Sequence, residues 1–413
     1  MAGDPPERDR GKRLLVLGAG PAQLGLLAAA RARALHVIAV DRDPSAPGFR
    51  YADRRAIVST EDESGIERLA SAERVDGLIA PGIDWPVAIA ARVAKRLALP
   101  HPISPETALL STSKLRQRER FAEASVPQPA YQVCSGAAEA AAAAARIGFP
   151  CVIKAPDRQG QRGLTLVNAA EEVADAVRIA LDASRSATLL VEELVPGREV
   201  TVNAFSVDGH FHPLTVTDRL TAALPAFGVA LTHAWPSELE PPQIGGAVEA
   251  ASAAARAVGI ENGPSYTQVL VGPEGARVGE LAARLGGGHD AELCRVALGV
   301  DMNGAALSAA LGEEIPPAAL APVAKVGGAC VRFLVAPTGR LQQVTGVEEA
   351  FAQEGIRGIR IYRRAGHRFG ELRRGADRAG AVLAVGESRE EALERAGRAE
   401  ATIRFEVDVE ALV

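Results

Sequence analysis

Over the first hundred residues short apolar runs alternate with helical ones, and this rhythm constrains the fold more than any other feature of the chain. "RLLVLGA", "HVIAVDRD", "AIVST" and "DGLIAPG" read as strands, while "AQLGLLAAARARA" and "WPVAIAARVAKRLA" repeat their apolar positions at helical spacing. Strands joined by helical crossovers pair in parallel and need helices on both faces, so the segment predicts a doubly wound sheet. At 413 residues the chain is too long for one core, and further domains must follow.

The proline-rich "LPHPISPETALL" closes this unit. Residues 113–125, "SKLRQRERFAEAS", read as an amphipathic helix opened by a serine cap and ended by "VPQPAY". Next come a strand at "YQVC", an alanine-rich helix over 137–146, the buried strand "PCVIKA", the loop "PDRQGQRG", the strand "LTLV" and a helix over about 170–183. That order predicts a small α+β lid followed by a larger sheet, which "ATLLVEELVPGREVTVNAFSVDGHF" begins with two strands flanking a turn. A helix is expected over 246–258, and residues 326–413 alternate strands and loops before finishing with the helix "SREEALERAGRAEATI".

The 47% apolar and 23% charged content is that of an ordinary globular protein. A net charge of -5 argues against a general nucleic-acid binder, because neutralising phosphates needs a basic surface. Four scattered cysteines form no CxxC pair, so neither a disulfide framework nor a zinc site is indicated. Residues 1–12 lack the apolar core of a signal peptide, and no run approaches the ~18 apolar residues of a membrane span. A cytoplasmic protein with neither nucleic-acid nor membrane partners is expected.

"GAGPAQLG" after the first strand, with Asp41 ending the second, invites a dinucleotide reading. Its spacing is GxGxxxxG, and Pro21 removes an N–H donor, so a tight turn that needs glycine for packing is preferred. Lysine is more informative: only five of the 46 basic residues are lysine. Lys154 ends a buried strand, where an ammonium costs desolvation unless an anion meets it, and Gly160 and Gly163 follow in a loop with Arg158 and Arg162 that can fold its N–H groups over phosphates. Lys114 works against its own helix dipole unless it points at an anion.

"LLVEELVPGREVTV" runs into Glu192, Glu193, Leu194 and Val195, then a turn and Glu199. Such a hinge presents backbone donors and acceptors to an adenine edge and a carboxylate to ribose hydroxyls. In "YTQVLVGPEGARVGELAARLGGGHD", a three-residue turn at Pro273, Glu274 and Gly275 would set Gln268 opposite Glu280, with Ala282 and Arg284 on the face of Glu280. Gln268 and Glu280 then supply oxygen ligands suited to magnesium, and Arg284 suits a phosphate or acyl-phosphate anion.

In this order the pieces resemble the ATP-grasp superfamily, and nearly the whole chain is similar to its carboxylate-amine ligase branch, which includes L-amino-acid ligases, biotin carboxylase and carbamoyl phosphate synthetase halves. The resemblance implies an α/β and α+β multidomain chain. A Rossmann-like preATP-grasp domain would span 1–112, an ATP-grasp domain 113–320 with a lid at about 130–190, and a C-terminal α+β domain 321–413. It implies that Lys114, Lys154 and the 160–163 loop with Gly160, Gly163 and Arg162 bind ATP phosphates. Glu192 to Val195 would hold adenine, Glu199 the ribose, Glu280 and Gln268 magnesium (or Mn2+), and Arg284 the acyl phosphate. His233 in "FGVALTHAWPSEL" is the candidate for contacting a substrate carboxylate, with His289, Asp290 and Arg378 behind it. Gln268 stands where members commonly carry glutamate, and Ala282 where many carry asparagine.

The implied activity is ATP-dependent joining of a carboxylate, such as an amino acid, to an amine through an acyl phosphate, with ADP and phosphate released; the sequence leaves the oligomeric state open, a homodimer among the options. The alternatives are a carboxylase or carbamoyl-phosphate-type enzyme using carboxyphosphate, a non-catalytic ATP-binding protein and, last, an oxidoreductase.

Overall fold

A computed structural model describes residues 11–158 and 160–408; the signal-peptide reading of residues 1–10 and Gln159 of the glycine loop lie outside them. The N-terminal strands Arg13–Leu17, His36–Val40, Arg54–Ala56 and Gly77–Ile79 form one parallel sheet in which Arg13–Leu17 lies between His36–Val40 and Gly77–Ile79. The third strand sits a few residues before the expected "AIVST". The early glycine turn is a packing device. A side chain at Gly25 would meet Glu292 Oε1 at 2.2 Å, and one at Gly18 would meet Gln23. Asp41 Oδ2 accepts the Ala19 N–H at 2.9 Å, so backbone donors occupy the carboxylate that a ribose reading would need.

Helix Lys114–Glu123 opens with Ser113, whose hydroxyl accepts the Arg116 N–H, as its cap position predicts. The lid is an antiparallel sheet in the order Tyr131–Cys134, Leu189–Glu193, Cys151–Lys154, Leu164–Val167. Helices Ala137–Ile147 and Val173–Ala183 close its core over Cys134, Ile153 and Leu189, with alanines letting them approach.

The largest sheet has eight antiparallel strands, ordered Gly275–Ala282, Gly263–Gly272, Arg198–Val207, His210–Thr221, Ala230–Trp235, Gly328–Leu334, Gly380–Gly386, Ile356–Ile361. It runs without a break from the central segment into the C-terminal one. Helix Pro241–Val258 covers one face, packing on Val200, Val202, Val269 and Val271. It starts five residues earlier than expected because Glu240 and Gln243 form a capping box and prolines fill the first helical positions. Among the described residues the expected last helix, Arg389–Thr402, is followed by strand Arg404–Asp408, which pairs with Gly339–Thr345 in a small three-stranded sheet.

Candidate functional site

Register collects polar residues from five strands on one face of the eight-stranded sheet. Thr201 and Asn203 alternate along one strand, beside Gln268 and Tyr266 on one side and Thr217 and Thr215 on the other. Gln268 opposes Glu280, and Arg219 opposes His233. The opposite face carries the valines packed on helix Pro241–Val258, so the two-residue period separates core from site. Glu199, Arg219, His233, Tyr266, Gln268 and Glu280 floor a cavity of about 1240 Å³, which lid residues, N-terminal loops and the C-terminal segment enclose.

The hairpin that carries Glu280 reaches this register differently from the expectation. Its turn has two residues, Pro273 and Glu274, because Gly272 already pairs with Gly275, whose φ is +104°. Val269 pairs with Val278 but Gln268 with Glu280, so the extra residue is a bulge at Gly279. Were Gly279 paired in regular alternation instead, Glu280 would follow the parity of Val278, which packs against the alanines of helix Pro241–Val258. The bulge turns the carboxylate into the cavity.

The charges there are nested. Lys114 Nζ donates to the Arg158 carbonyl and lies 3.1 Å from Glu280 Oε2. Lys154 Nζ lies 2.7 Å from Glu192 Oε2, and Arg118 Nε donates to Glu192 Oε1 at 2.9 Å. Burial raises the Glu192 pKa, but Arg118 and Lys154 outweigh it and hold the carboxyl down at about 2. Burial pulls the Lys154 ammonium below its ordinary value, against the attraction of Glu192. At Glu280, Lys114 and Lys154 overcome burial and keep the carboxyl ionised below the usual range. The Glu192 side chain therefore faces the two cations, and only its backbone belongs to the hinge with Leu194 and Val195. Glu193 is held by Arg277 at 2.7 Å and by the Ala130 N–H.

Glu199 Oε1 lies 3.0 Å from Arg219 Nε. Gly160 and Gly163 take positive φ values of +66° and +72°, and Arg162 between them is exposed with no carboxylate partner among the described residues. Arg284 lies beyond the strand end, so alternation does not place it. Its guanidinium lies 2.6 Å from Asp84 of the N-terminal domain and 5.1 Å from the Tyr266 ring centroid.

The three glycines of "LGGGHD" have a steric reason. A Cβ at Gly286 would fall 2.1 Å from Asp290 Oδ2, one at Gly287 2.9 Å from the Gly82 carbonyl, and one at Gly288 2.5 Å from His233 Cε1. They leave room for His233 and Asp290, whose Nδ1 and Oδ1 lie 3.0 Å apart in the interior. Asp290 also accepts the Gly288 N–H, and His233 with that donor outweighs burial to bring its pKa to about 2. His289 is tied to the C-terminal segment by the Tyr362 hydroxyl at 2.6 Å, and Arg378 stacks 3.7 Å from the Phe333 ring centroid.

Sequence reasoning missed Arg118, Asp84, Arg219 and Tyr266. Arg118 was legible, since it stands four residues after Lys114 on one helix face. The others enter through tertiary pairing.

Among the described residues no group of three or more histidines, cysteines and carboxylates could hold a metal ion. Glu280 and Gln268 are still hard oxygen donors on neighbouring strands, which fits magnesium or manganese if a nucleotide supplies the remaining oxygens. No helix of the described residues is long and apolar enough to cross a membrane.

Comparison with known proteins accords with this architecture. Residues 113–317 match the family model of the carbamoyl-phosphate synthase L chain ATP-binding domain, and residues 332–408 that of L-amino acid ligase C-terminal domain 2. An uncharacterised protein of Sinorhizobium fredii, y4rH, is 28% identical over 377 residues, 88% of this chain and 76% of that one. A formate-dependent phosphoribosylglycinamide formyltransferase of Burkholderia pseudomallei is 32% identical over 175 residues, which span 42% of this chain and only 43% of the relative. The structure of L-amino acid ligase from Bacillus licheniformis superposes with a TM-score of 0.82 at 19% identity, covering 97% of this chain and 99% of that one. The fold is ATP-grasp, and the chain is similar to carboxylate-amine ligases of the ATP-grasp superfamily.

Proposed function

We propose that this chain joins a small-molecule carboxylate, such as an amino acid, to an amine through an acyl phosphate, releasing ADP and phosphate. The observation that carries the reading is the meeting of Lys114, Lys154 and Glu280, from a helix, the lid and the bulged hairpin, in one cavity. Adenine lies against the hinge backbone from Glu192 to Val195, and Glu199 receives the ribose hydroxyls, exchanging part of its contact with Arg219.

In the first step a carboxylate oxygen of the substrate attacks the γ-phosphorus of ATP and the bond to ADP breaks. Lys114, Lys154 and the loop with Gly160, Arg162 and Gly163 spread the charge of the in-line transfer. Glu280 and Gln268 would hold magnesium, which would add neutralising charge beside the phosphates when bound. In the second step the amine nitrogen attacks the acyl carbon, and phosphate leaves with the oxygen that came from the carboxylate. Arg284 stabilises the acyl phosphate while Asp84 fixes its direction, and His233, oriented by Asp290, contacts the substrate at the acyl end. The lid excludes the water that would hydrolyse the mixed anhydride.

A matrix of amino acids and amines, scored by phosphate release and product mass, tests the reading. It requires ADP release that depends on both partners; production of AMP, or turnover of NAD(P)H instead, would sink it. Gln268 favours one second reading, a nucleotide binder without turnover. ATP binding with no hydrolysis, unaltered in Gln268→Glu, would select it.

A further inference from the structure

One hydrogen-bonded chain at the cavity wall takes no part in holding ATP or the acyl phosphate. Tyr362 follows strand Ile356–Ile361 and lines the cavity, and its hydroxyl is bonded to His289 Nε2 at 2.6 Å. His289 Nδ1 in turn lies 3.1 Å from Glu292 Oε1. Tyr362 and His289 are each only 7% exposed, and of the three residues Tyr362 alone reaches the cavity wall. Phenol, imidazole and carboxylate therefore run inward from the cavity in that order.

Local structure brings the inner pair together. Glu292 stands in the first turn of helix Asp290–Leu298, three residues after His289, which occupies the N-cap position in the left-handed conformation at φ +61°. Such a conformation is strained for a residue with a side chain, and both ring nitrogens hold it in place. Gly25, the last glycine of the N-terminal turn, leaves the space that the carboxylate fills, since a Cβ there would fall 2.2 Å from Glu292 Oε1. The glycine that a dinucleotide motif does not explain is thus required by the far end of this chain.

Burial raises the Glu292 pKa, but His289 outweighs it and holds the carboxyl ionised, below its usual range. A carboxylate takes the Nδ1 proton of a neutral imidazole, which leaves Nε2 as an acceptor and makes the Tyr362 hydroxyl the donor. Burial pushes the phenol up, so Tyr362 keeps its proton at neutral pH and accepts another only by passing its own to His289. The imidazolium so formed would face Glu292. That is the logic of a general base in which the outer member alone touches the substrate. The Phe333 ring lies 6.5 Å from the His289 ring and 5.5 Å from that of His233, so this chain neighbours the group assigned to the acyl end.

The ligase reaction, on which this inference rests, must dispose of one amine proton in its second step. We propose that Tyr362, backed by His289 and Glu292, accepts that proton. The nitrogen lone pair forms the bond to the acyl carbon, and the carbon–oxygen bond breaks with its electrons on the departing phosphate. One N–H proton moves to the Tyr362 oxygen as the phenol proton moves to His289 Nε2, and it returns through Tyr362 to solvent when the products leave. Tyr362 is the catalytic residue of the set; His289 and Glu292 are positioning residues that act through it.

Single-turnover rapid quench with ATP and the best acid and amine from the screen separates the two steps. The variants are Tyr362→Phe and His289→Asn, the second because asparagine tolerates the left-handed conformation. In both, amide formation at saturating amine should fall about 10²-fold or more, with ADP formation and the half-saturating amine concentration within about threefold of wild type. Amide formed by both variants as fast as by wild type, ADP formation lost in both, or a defect that more amine restores would overturn the relay and leave the ligase reading standing. If wild type releases no ADP with any acid and amine, the ligase reading falls, and the relay falls with it.

Discussion

At Glu192 one carboxylate meets two buried cations, Arg118 and Lys154, and removing it would strand both charges away from water. Glu192→Gln should therefore cost roughly 3–5 kcal/mol in urea unfolding, although it keeps the size of the side chain. The pH dependence has a definite sign. A carboxyl held at about 2 instead of 4.5 stabilises the fold above pH 4.5, and that contribution is lost as pH falls from 4.5 toward 2. Denaturation curves across that window should fall more steeply for wild type than for Glu192→Gln. Glu280 and Gln268 make a different kind of pair, chosen for ligands. Glu280→Gln should lower kcat by about 10²-fold or more and also reduce stability, because it leaves Lys114 without its carboxylate, whereas Gln268→Glu should lower the magnesium concentration needed for half-maximal activity. Lys114 and Lys154 were visible in the sequence because lysine is scarce in it and each sits where an unpaired ammonium is costly. Asp84 was not, since its meaning depends on a partner 200 residues away.

The hairpin shows how much an element's details exceed its pattern. Its strands, its turn region and the pairing of Gln268 with Glu280 were all legible from alternation and the Pro-Glu-Gly run. The bulge was not, because a two-residue turn plus one extra residue gives the same pairing as a three-residue turn at that position. The two differ in where residues 276 to 278 point, and that is decided by a helix elsewhere. Deleting Gly279 should remove the bulge and restore regular alternation, which leaves Glu280 opposite Gln268 on the cavity face, so ATP turnover should persist. Gly279→Ala should change stability by no more than about 1 kcal/mol, because an added Cβ meets nothing closer than 3.5 Å. Urea unfolding and ATP turnover of the two variants check both halves. In the lid, Arg185 pairs with Glu61 at 2.6 Å and stands 4.2 Å from the Trp85 ring centroid, both on the N-terminal domain. Arg185→Ala should raise the KM for ATP severalfold and speed hydrogen exchange through residues 131–193, because it removes an ion pair and a cation–π contact that hold the lid down.

The whole molecule is organised around one antiparallel sheet whose eight strands come from both the central and the C-terminal segments. Tyr362, Arg363 and Arg378 line the cavity because strands Ile356–Ile361 and Gly380–Gly386 complete that sheet beside Gly328–Leu334. The order of motifs along the chain was enough to anticipate the architecture, since each motif is local. The C-terminal domain was expected to complete the active site, with Arg378 the one residue named for it, because strand order in an antiparallel sheet is not encoded in any one strand. The account's central claim concerns the fate of one oxygen atom. With a substrate acid labelled by 18O in its carboxylate, attack on the γ-phosphate followed by displacement must transfer one labelled oxygen to each phosphate released. Mass spectrometry of that phosphate should find a single 18O per phosphate and ADP as the nucleotide product; unlabelled phosphate formed along with the amide would contradict the acyl-phosphate route.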